Sequence, residues 1–239
     1  MTRNEADYYK TELFFVSITY VFYTFSMLVS SFAIHYYTRY KDAEAEKIKS
    51  ELSVLKSQIN PHFFFNTLNI IYSQAITKSD KTVESISKLS SMMRYVLSDT
   101  QESRVSLAQE IKYYDDYIAL QKERLTEKTN VVFKVEGKIT NQFLPPLLGI
   151  NLIENAFKFG VSTEKETSII IHIIIDNQWI EFDISNDIPK KKAINSDSSQ
   201  IGLANTKKRL DLLFVNKYTL QIEKNDLKYS VLLKFPLSC

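Results

Sequence analysis

Two groups of residues have the types and spacing that phosphoryl chemistry requires. The first is His62, which directly follows Pro61 and precedes three consecutive phenylalanines. A neutral imidazole offers a ring nitrogen as a nucleophile near neutral pH, and the phosphoramidate that forms is labile enough to pass its phosphoryl group on. We interpret His62 as an acceptor of phosphate from ATP, with a packed histidine on an apolar helix as the alternative.

The second group is Asn151, Asn155 and Lys158, whose spacing places them on one face of a predicted helix. An amide oxygen is a hard ligand that suits Mg²⁺, and an ammonium group offsets phosphate charge. The pattern favours a nucleotide phosphate site, with an amphipathic helix that turns its polar side to water as the alternative. The remaining histidines are interpreted as structural: His35 as a helix-contact residue and His172 as part of a buried strand.

Composition excludes several other classes of protein. A net charge of +2, with Lys190–Lys192 as the only basic run, argues against a nucleic-acid binder. The single cysteine, Cys239, rules out an internal disulfide and a cysteine-rich metal site. Four glycines in 239 residues exclude a glycine-rich phosphate loop of the P-loop or dinucleotide type.

Residues 13–37 predict one transmembrane helix, because they contain no Asp, Glu, Lys or Arg and, at about 1.5 Å per residue, exceed the roughly 30 Å thickness of the hydrocarbon. Basic residues are more frequent after this span than before it (Arg39, Lys41, Lys47 and Lys49 against Arg3 and Lys10). The positive-inside rule therefore places the C-terminal body in the cytoplasm. Residues 1–12 are too few for an extracytoplasmic sensor domain, so we expect signals to enter through the span or a membrane-embedded partner.

Beyond the span, the sequence predicts a dimeric helical hairpin. A short coiled-coil seam consists of Ile48, Leu52, Leu55 and Ile59. Pro61 is expected to bend or interrupt the helix beside this seam. A second apolar helix, from about Val83 to Leu97, follows a turn at residues 78–81. Two such helices from each chain, with Phe63–Phe65 supplying apolar surface, would form a four-helix bundle.

From residue 106 the pattern changes to mixed helices and strands. Ser106–Gln109 fits a capping box that opens a helix reaching about residue 125. Further helices are predicted after Pro145–Pro146 and over 203–214, and strands over 131–135, 168–175, 179–185, 219–223 and 229–235. This mixture predicts an α/β sandwich with helices on one face of a mixed sheet, so the whole chain is of the α+β class.

The block from Gln58 to Asn69 resembles the phosphoacceptor motif of the LytS-type sensor histidine kinases. That motif reads Gln-Ile-Asn-Pro-His-Phe-Leu-Phe-Asn-x-Leu-Asn, and this chain matches it with Phe64 in place of leucine. The resemblance implies that His62 is the phosphoacceptor and that Asn66 belongs to the same site. It extends over roughly residues 48–237.

The predicted helix around Asn155 resembles the N box of GHKL-type ATPases. The resemblance implies that Asn155 holds Mg²⁺ and that Asn151 and Lys158 approach the phosphates of ATP. Glu154 matches the Glu-Asn pair common in LytS-type kinases, and Phe159 stands where those kinases often carry histidine.

Residues 201–210 resemble the G2 box of the same ATPases, with Gln200 in place of the first glycine. By this resemblance, Gly202 lets backbone amides at a helix start approach the phosphates, beside Leu203 and Asn205. The preceding stretch, 190–200, would be the mobile ATP lid.

The adenine-binding G1 box, Asp-x-Gly-x-Gly in the family, is where this chain departs most. Asn186 takes the position of the aspartate, and both glycines are absent. An asparagine accepts a hydrogen bond from the adenine amine through its carbonyl, without charge assistance. Asp187 is the alternative adenine contact.

These features predict a single-pass histidine kinase of the cytoplasmic (inner) membrane that uses ATP and Mg²⁺. As a homodimer it would phosphorylate His62 and pass the phosphoryl group to a response-regulator aspartate; the resemblance suggests a LytTR-type regulator. A pseudokinase that scaffolds a partner kinase is the alternative, motivated by the G1 box, and an ATPase without phosphotransfer is a third. The predicted domains are 1–12, the span 13–37, the linker and phosphoacceptor domain 38–105, and the ATP-binding domain 106–239.

Overall fold

The computed structural model describes residues 3–58, 61–189, 197–215 and 217–237. The chain forms two compact units, residues 1–59 and 60–239. The first is one long helix, α1 (Arg3–Gln58), whose segment Leu13–Glu44 is long and apolar enough to cross a membrane. The side chains of the predicted coiled-coil seam, from Ile48 to Ile59, lie outside the described part of the structure, so the seam stays a prediction.

The second unit opens with a helical hairpin, α2 (Pro61–Ile76) and α3 (Lys81–Leu97). Pro61 is the first described residue of α2, a position that suits proline because the missing N–H has no helical partner there. The turn between the helices lies at residues 77–80, where the sequence predicts it. The predicted hairpin is therefore confirmed.

Helix α4 (Leu107–Lys122) begins with the predicted capping box, because Ser106 accepts from the Gln109 amide and Gln109 reaches back to the Ser106 amide. The sequence did not predict two short strands near this helix start, one directly before it and one later in the chain that pairs with the first. They are β1 (Val105–Ser106) and β3 (Phe143–Leu144), which pair antiparallel.

A five-stranded sheet in the order β2-β4-β5-β7-β6 forms the other layer. Its strands are β2 (Thr129–Glu136), β4 (Thr167–Ile175), β5 (Trp179–Asp187), β6 (Thr219–Lys224) and β7 (Lys228–Pro236). β2 runs parallel to β4 and the other neighbours are antiparallel. Isoleucines in β4 alternate between buried and partly exposed positions, as a sheet with one covered face requires.

Helices cover that face. Tyr114 of α4 packs edge-on against Phe182 of β5, and Phe182 stacks with Phe235 of β7. Phe214, at the end of α6 (Asp197–Phe214), packs on the same Phe235. Helix α5 (Ile150–Gly160) packs against β4 and β5. The predicted α/β sandwich is confirmed.

Two predicted helix starts are wrong. Helix α5 begins at Ile150 and not at Pro145–Pro146, because Leu147 adopts a left-handed backbone (φ 58°) that interrupts a helix. Helix α6 begins at Asp197 and not at 203, since residues 197–199 are types that favour helix starts. Residues 197–200 of the predicted lid are thus helical, and 190–196 lie outside the described residues.

Candidate functional site

His62 lies in the first turn of α2 and is exposed. The side-chain amide of Asn66, one turn later, lies 3.2 Å from Nδ1 and 3.1 Å from Nε2 of its ring. A neutral imidazole has one acceptor nitrogen, so the Asn66 amide donates to whichever ring nitrogen lacks the proton, and the ring stays exposed to solvent. The two predicted motif residues are therefore in contact, in the geometry of an accessible nucleophile with a neighbouring donor.

Helix α2 has two apolar faces. Phe63, Thr67 and Ile71 are buried at spacings of four residues. A second stripe is exposed and continues onto α3; it consists of Phe65, Leu68, Tyr72, Ile76, Val83, Ile86, Met93 and Leu97. The expectation that the phenylalanines at 63–65 all serve a dimer core is thus wrong for Phe63, which packs inside its own chain.

The buried face of α2 connects to the predicted N-box helix through aromatic rings. The ring of Phe63 lies 4.7 Å from that of Tyr117 on α4, centroid to centroid. Tyr117 in turn meets Phe157 of α5 edge-on at 6.0 Å. Residues adjacent to His62 are therefore packed, through one tyrosine, against the helix predicted to hold nucleotide.

Helix α5 places Asn151, Asn155 and Lys158 on one partly exposed face, as predicted. The Asn151 amide donates to Thr206 Oγ1 of α6 at 3.3 Å, and Lys158 Nζ lies 5.1 Å from the centre of the Phe159 ring. Two amides and an ammonium thus share a surface that solvent reaches.

Glu154 lies at one edge of the same helix face, three residues after Asn151 and four before Lys158. Burial raises the pKa of Tyr113 and Tyr117 on α4, and the charge of Glu154 raises both further. The charge of Glu154 is therefore near enough to α4 to act on both of these hydroxyl groups.

The G2 residues fall inside α6. Gly202 lies in the second turn, so the expectation that it opens this helix is wrong, and its amide is not among the free donors of the first turn. Asn205 is exposed on the same helix, while the side chain of Leu203 is outside the described part.

Asn186 lies in β5 and is 1% exposed. Its Nδ2 donates to the Asp187 carbonyl at 3.0 Å, whereas its Oδ1 is buried and has no hydrogen-bond partner among the described residues. A Cβ on Gly160, the last residue of α5, would come within 2.7 Å of Asn186 Cβ, so only glycine lets the helix end approach this closely. One oxygen of the Asp187 carboxylate, Oδ2, accepts the Ser168 amide at 2.7 Å.

The orphaned oxygen identifies which of the two candidates fits a nucleobase. A buried acceptor without a partner costs free energy until a donor arrives. The exocyclic amine of adenine is such a donor, and the Asn186 amide cannot simply rotate because its nitrogen is engaged. The residues present therefore fit ATP, and Asn186 is a better candidate for the base contact than Asp187.

Sequence reasoning missed a buried carboxylate, Glu110, in the first turn of α4. It accepts hydrogen bonds from Tyr95, from Tyr114 at 2.5 Å and from the Leu147 amide at 2.8 Å. Burial raises the pKa of Glu110 to about 7, although these three hydrogen bonds and the charge of Arg209 oppose the rise. Glu110 directly follows the capping-box residue Gln109, a position where an exposed acidic residue is common at a helix start. Nothing in the neighbouring sequence therefore predicts that Glu110 is buried.

This raised pKa predicts that stability falls with rising pH. Because the folded chain binds the Glu110 proton more tightly than the unfolded chain does, the stabilisation is full below pH 4.5 and lost as pH rises through about 7. The loss is at most about 3 kcal/mol. We expect the unfolding temperature of the chain in nanodiscs to drop between about pH 5 and pH 8, and Glu110→Gln to flatten this dependence. The exposed Glu102→Gln serves as the control; an unchanged slope in Glu110→Gln would contradict the assignment.

Comparison with known proteins agrees with this geometry. The histidine kinase family matches residues 50–129, which include His62 and α4. The sensor protein LytS of Staphylococcus saprophyticus is 27% identical over 74% of the chain and 32% of its own length. The sensor histidine kinase YpdA of Escherichia coli is 30% identical over 70% of the chain and 31% of its own. The chain thus spans about a third of the length of these curated relatives.

Among solved structures, the catalytic domain of the histidine kinase ThkA aligns with a TM-score of 0.42 and 12% identity. The alignment covers 56% of the chain and 93% of that domain.

Proposed function

The chain contains the histidine kinase region of the LytS-type sensor histidine kinases, and from this premise we propose that it is a membrane-bound kinase that phosphorylates its own His62 from ATP. The contact between the exposed His62 ring and Asn66 carries the proposal, since it joins a nucleophile and a donor in the family's motif. The phosphoryl group then passes to an aspartate of a response regulator, with a LytTR-type regulator as the expected partner.

In this proposal the nucleotide lies along α5. Asn186 Oδ1 accepts a hydrogen bond from the adenine amine. Asn151 and Lys158 approach the phosphates, and Asn205 lies on α6, three residues after Gly202. Asn155 holds Mg²⁺, which when bound neutralises phosphate charge during transfer. Lys158 adds a positive charge on the same face, and the neutral Asn side chains orient the phosphates without repelling them.

The ring nitrogen of His62 attacks the γ-phosphorus, a bond forms between nitrogen and phosphorus, and ADP leaves with the electrons of the broken phosphorus–oxygen bond. The ring nitrogen without a proton is both the acceptor for the Asn66 amide and the nucleophile, so Asn66 positions this nitrogen and releases it before the attack. This positioning, more than any proton transfer, is what the chain supplies.

We also propose that the kinase works as a homodimer. The exposed apolar stripe on α2 and α3 contains eight large side chains, whereas exposed apolar residues on a monomer are usually scattered singly. His62 lies three residues before the first member of the stripe, Phe65. A second copy of the hairpin would cover the stripe and give a four-helix bundle. The α1 segment Leu13–Glu44 would anchor each copy in the cytoplasmic membrane as a single pass, with residues 106–239 as the ATP-binding domain in the cytoplasm.

The full chain in lipid nanodiscs with γ-labelled ATP and Mg²⁺ tests this function. We expect label on the protein that is labile in acid and stable in base, as a phosphoramidate is. Absence of label together with absence of nucleotide binding would overturn the proposal and leave the pseudokinase, which no observation favours at present.

A further prediction concerns the base contact. Asn186→Leu keeps the side-chain volume but removes the acceptor, so we expect the Kd for ATP to rise about tenfold. Asn186→Asp keeps an acceptor and is expected to bind ATP at least as well as the wild type. Titration of each variant with a fluorescent ATP analogue and Mg²⁺ measures both; the exposed turn variant Asn177→Leu is the control. Wild-type affinity in Asn186→Leu would contradict this contact.

A further inference from the structure

Glu110 connects three separate elements of the second unit. Its Oε2 accepts the hydroxyl of Tyr95 from α3, the second helix of the hairpin that carries His62. Its Oε1 accepts the hydroxyl of Tyr114 on α4 and the amide of Leu147 in the loop before α5. The Glu110 side chain is completely buried, and these three donors supply hydrogen bonds to both of its oxygens.

The same network holds the start of α5. The Gly149 amide donates to Tyr114 Oη at 3.2 Å, and a Cβ on Gly149 would lie 2.5 Å from the Phe182 ring. Gly149 is the N-cap of α5 and offers no side-chain cap of its own. The backbone of this loop is therefore placed by Glu110 and Tyr114 from outside the helix, and Asn151 follows two residues later.

Helix α6 joins the network from the other side. Arg209 donates to the Pro146 carbonyl at 2.7 Å, and its charge lies close enough to Glu110 to lower the carboxyl pKa. The Asn151 amide donates to Thr206 Oγ1 on the same helix. A shift of the loop before α5 would therefore displace both α5 and α6, the two helices that carry proposed nucleotide-binding residues.

The hairpin also contacts α4 through Phe63 and at Glu123, and neither contact leads to the start of α5 by hydrogen bonds among the described residues. Phe63 reaches the second half of α5 through the rings of Tyr117 and Phe157. Glu123, at the other end of α4, accepts hydrogen bonds from Gln74 and Ser85. Only the Tyr95–Glu110 bond is continued by hydrogen bonds to the start of α5 among the described residues.

We propose that Glu110 is a positioning residue that couples the phosphoacceptor hairpin to the nucleotide helix, so that a displacement of α3 at Tyr95 moves the loop before α5 and with it Asn151 and Asn155. The term nucleotide helix rests on the proposed function, whereas the coupling itself is a property of the fold. Coupling of this kind is reciprocal: ligand bound at α5 stabilises the position of α3 in return.

Hydrogen exchange in the nucleotide-free full chain in nanodiscs tests the coupling directly. Tyr95→Phe removes one hydroxyl and keeps the ring that packs on Tyr113. We expect it to speed exchange of the amides at 147–153 about tenfold, although they lie more than 50 residues away in sequence. Tyr218→Phe, which removes the 2.6 Å bond to Asp211 on the protein surface, is the matched control and is expected to leave those amides unchanged.

A second readout separates positioning from a merely structural role. Tyr95→Phe is expected to raise the KM for ATP about fivefold with a smaller change in the rate at saturating ATP. A lower unfolding temperature with unchanged exchange at 147–153 and unchanged KM would overturn the coupling. If the wild type binds no nucleotide, the proposed function fails, yet the exchange result still decides whether α3 and the loop are coupled.

Discussion

Replacement of His62 by glutamine is expected to abolish phosphorylation of the protein. Glutamine has a similar size and keeps a polar end for Asn66, but it has no nucleophilic ring nitrogen, so no phosphoramidate forms. Label from γ-labelled ATP should fall at least about 1,000-fold, to background. The reaction is followed on the full chain in nanodiscs, with acid and base treatment of the product.

Two measurements keep this result interpretable. His62→Gln should bind ATP like the wild type, because the proposed adenine contact at Asn186 is untouched. His172→Gln, a substitution of the half-buried histidine 3.4 Å from Glu136 on β2, is the matched control and should keep its label. Acid-labile label that persists in His62→Gln would show that another residue accepts the phosphoryl group and would refute our assignment.

Replacement of Asn155 by alanine is expected to lower the rate of autophosphorylation about 100-fold or more. The amide oxygen is the proposed Mg²⁺ ligand, and without the ion the charge of the phosphates is poorly neutralised. The fold should survive, because Asn155 is only partly buried and alanine is the best helix former. The rate is measured over a range of Mg²⁺ concentrations, where the variant should need far more Mg²⁺ than the wild type.

Asn155→Asp distinguishes a ligand from a packing residue. A carboxylate also binds Mg²⁺, so this variant should keep part of the activity that alanine loses. Asn177→Ala, in the exposed turn between β4 and β5, controls for loss of an asparagine elsewhere. Equal Mg²⁺ requirements in Asn155→Ala and the wild type would remove Asn155 from the ion site.

Several features followed from local sequence because local interactions cause them. The capping box at Ser106 needs only residues three apart, and the Asn151, Asn155 and Lys158 face needs only the helical period. The strands of the sheet were predicted to within a few residues from alternation and β-branched runs. The starts of α5 and α6 were the exceptions. For α5, Leu147 takes a left-handed conformation that its own sequence gives no reason for, and its amide is held by Glu110 from α4.

The burial of single polar atoms could not be read from the sequence at all. Asn186 and Asp187 are adjacent and both polar, and both remained candidates for the adenine contact. The pairing of β4 with β5 gives Asp187 a partner in Ser168, whereas the oxygen of Asn186 has no partner among the described residues. Likewise, nothing near Glu110 in sequence predicts that tyrosines 15 residues earlier and 4 residues later would enclose it.

The sequence by itself determined the motif around His62, the apolar span, the order of the longer helices and strands, and the polar face of α5, because each depends on residue type and short-range period. Only the tertiary structure decided which apolar face of α2 packs inside the chain, that the oxygen of Asn186 has no partner among the described residues, and that Glu110 joins α3 to the start of α5. The physical reason is that hydrogen-bond satisfaction and burial belong to pairs of residues brought together by folding, and their values are not properties of either residue alone.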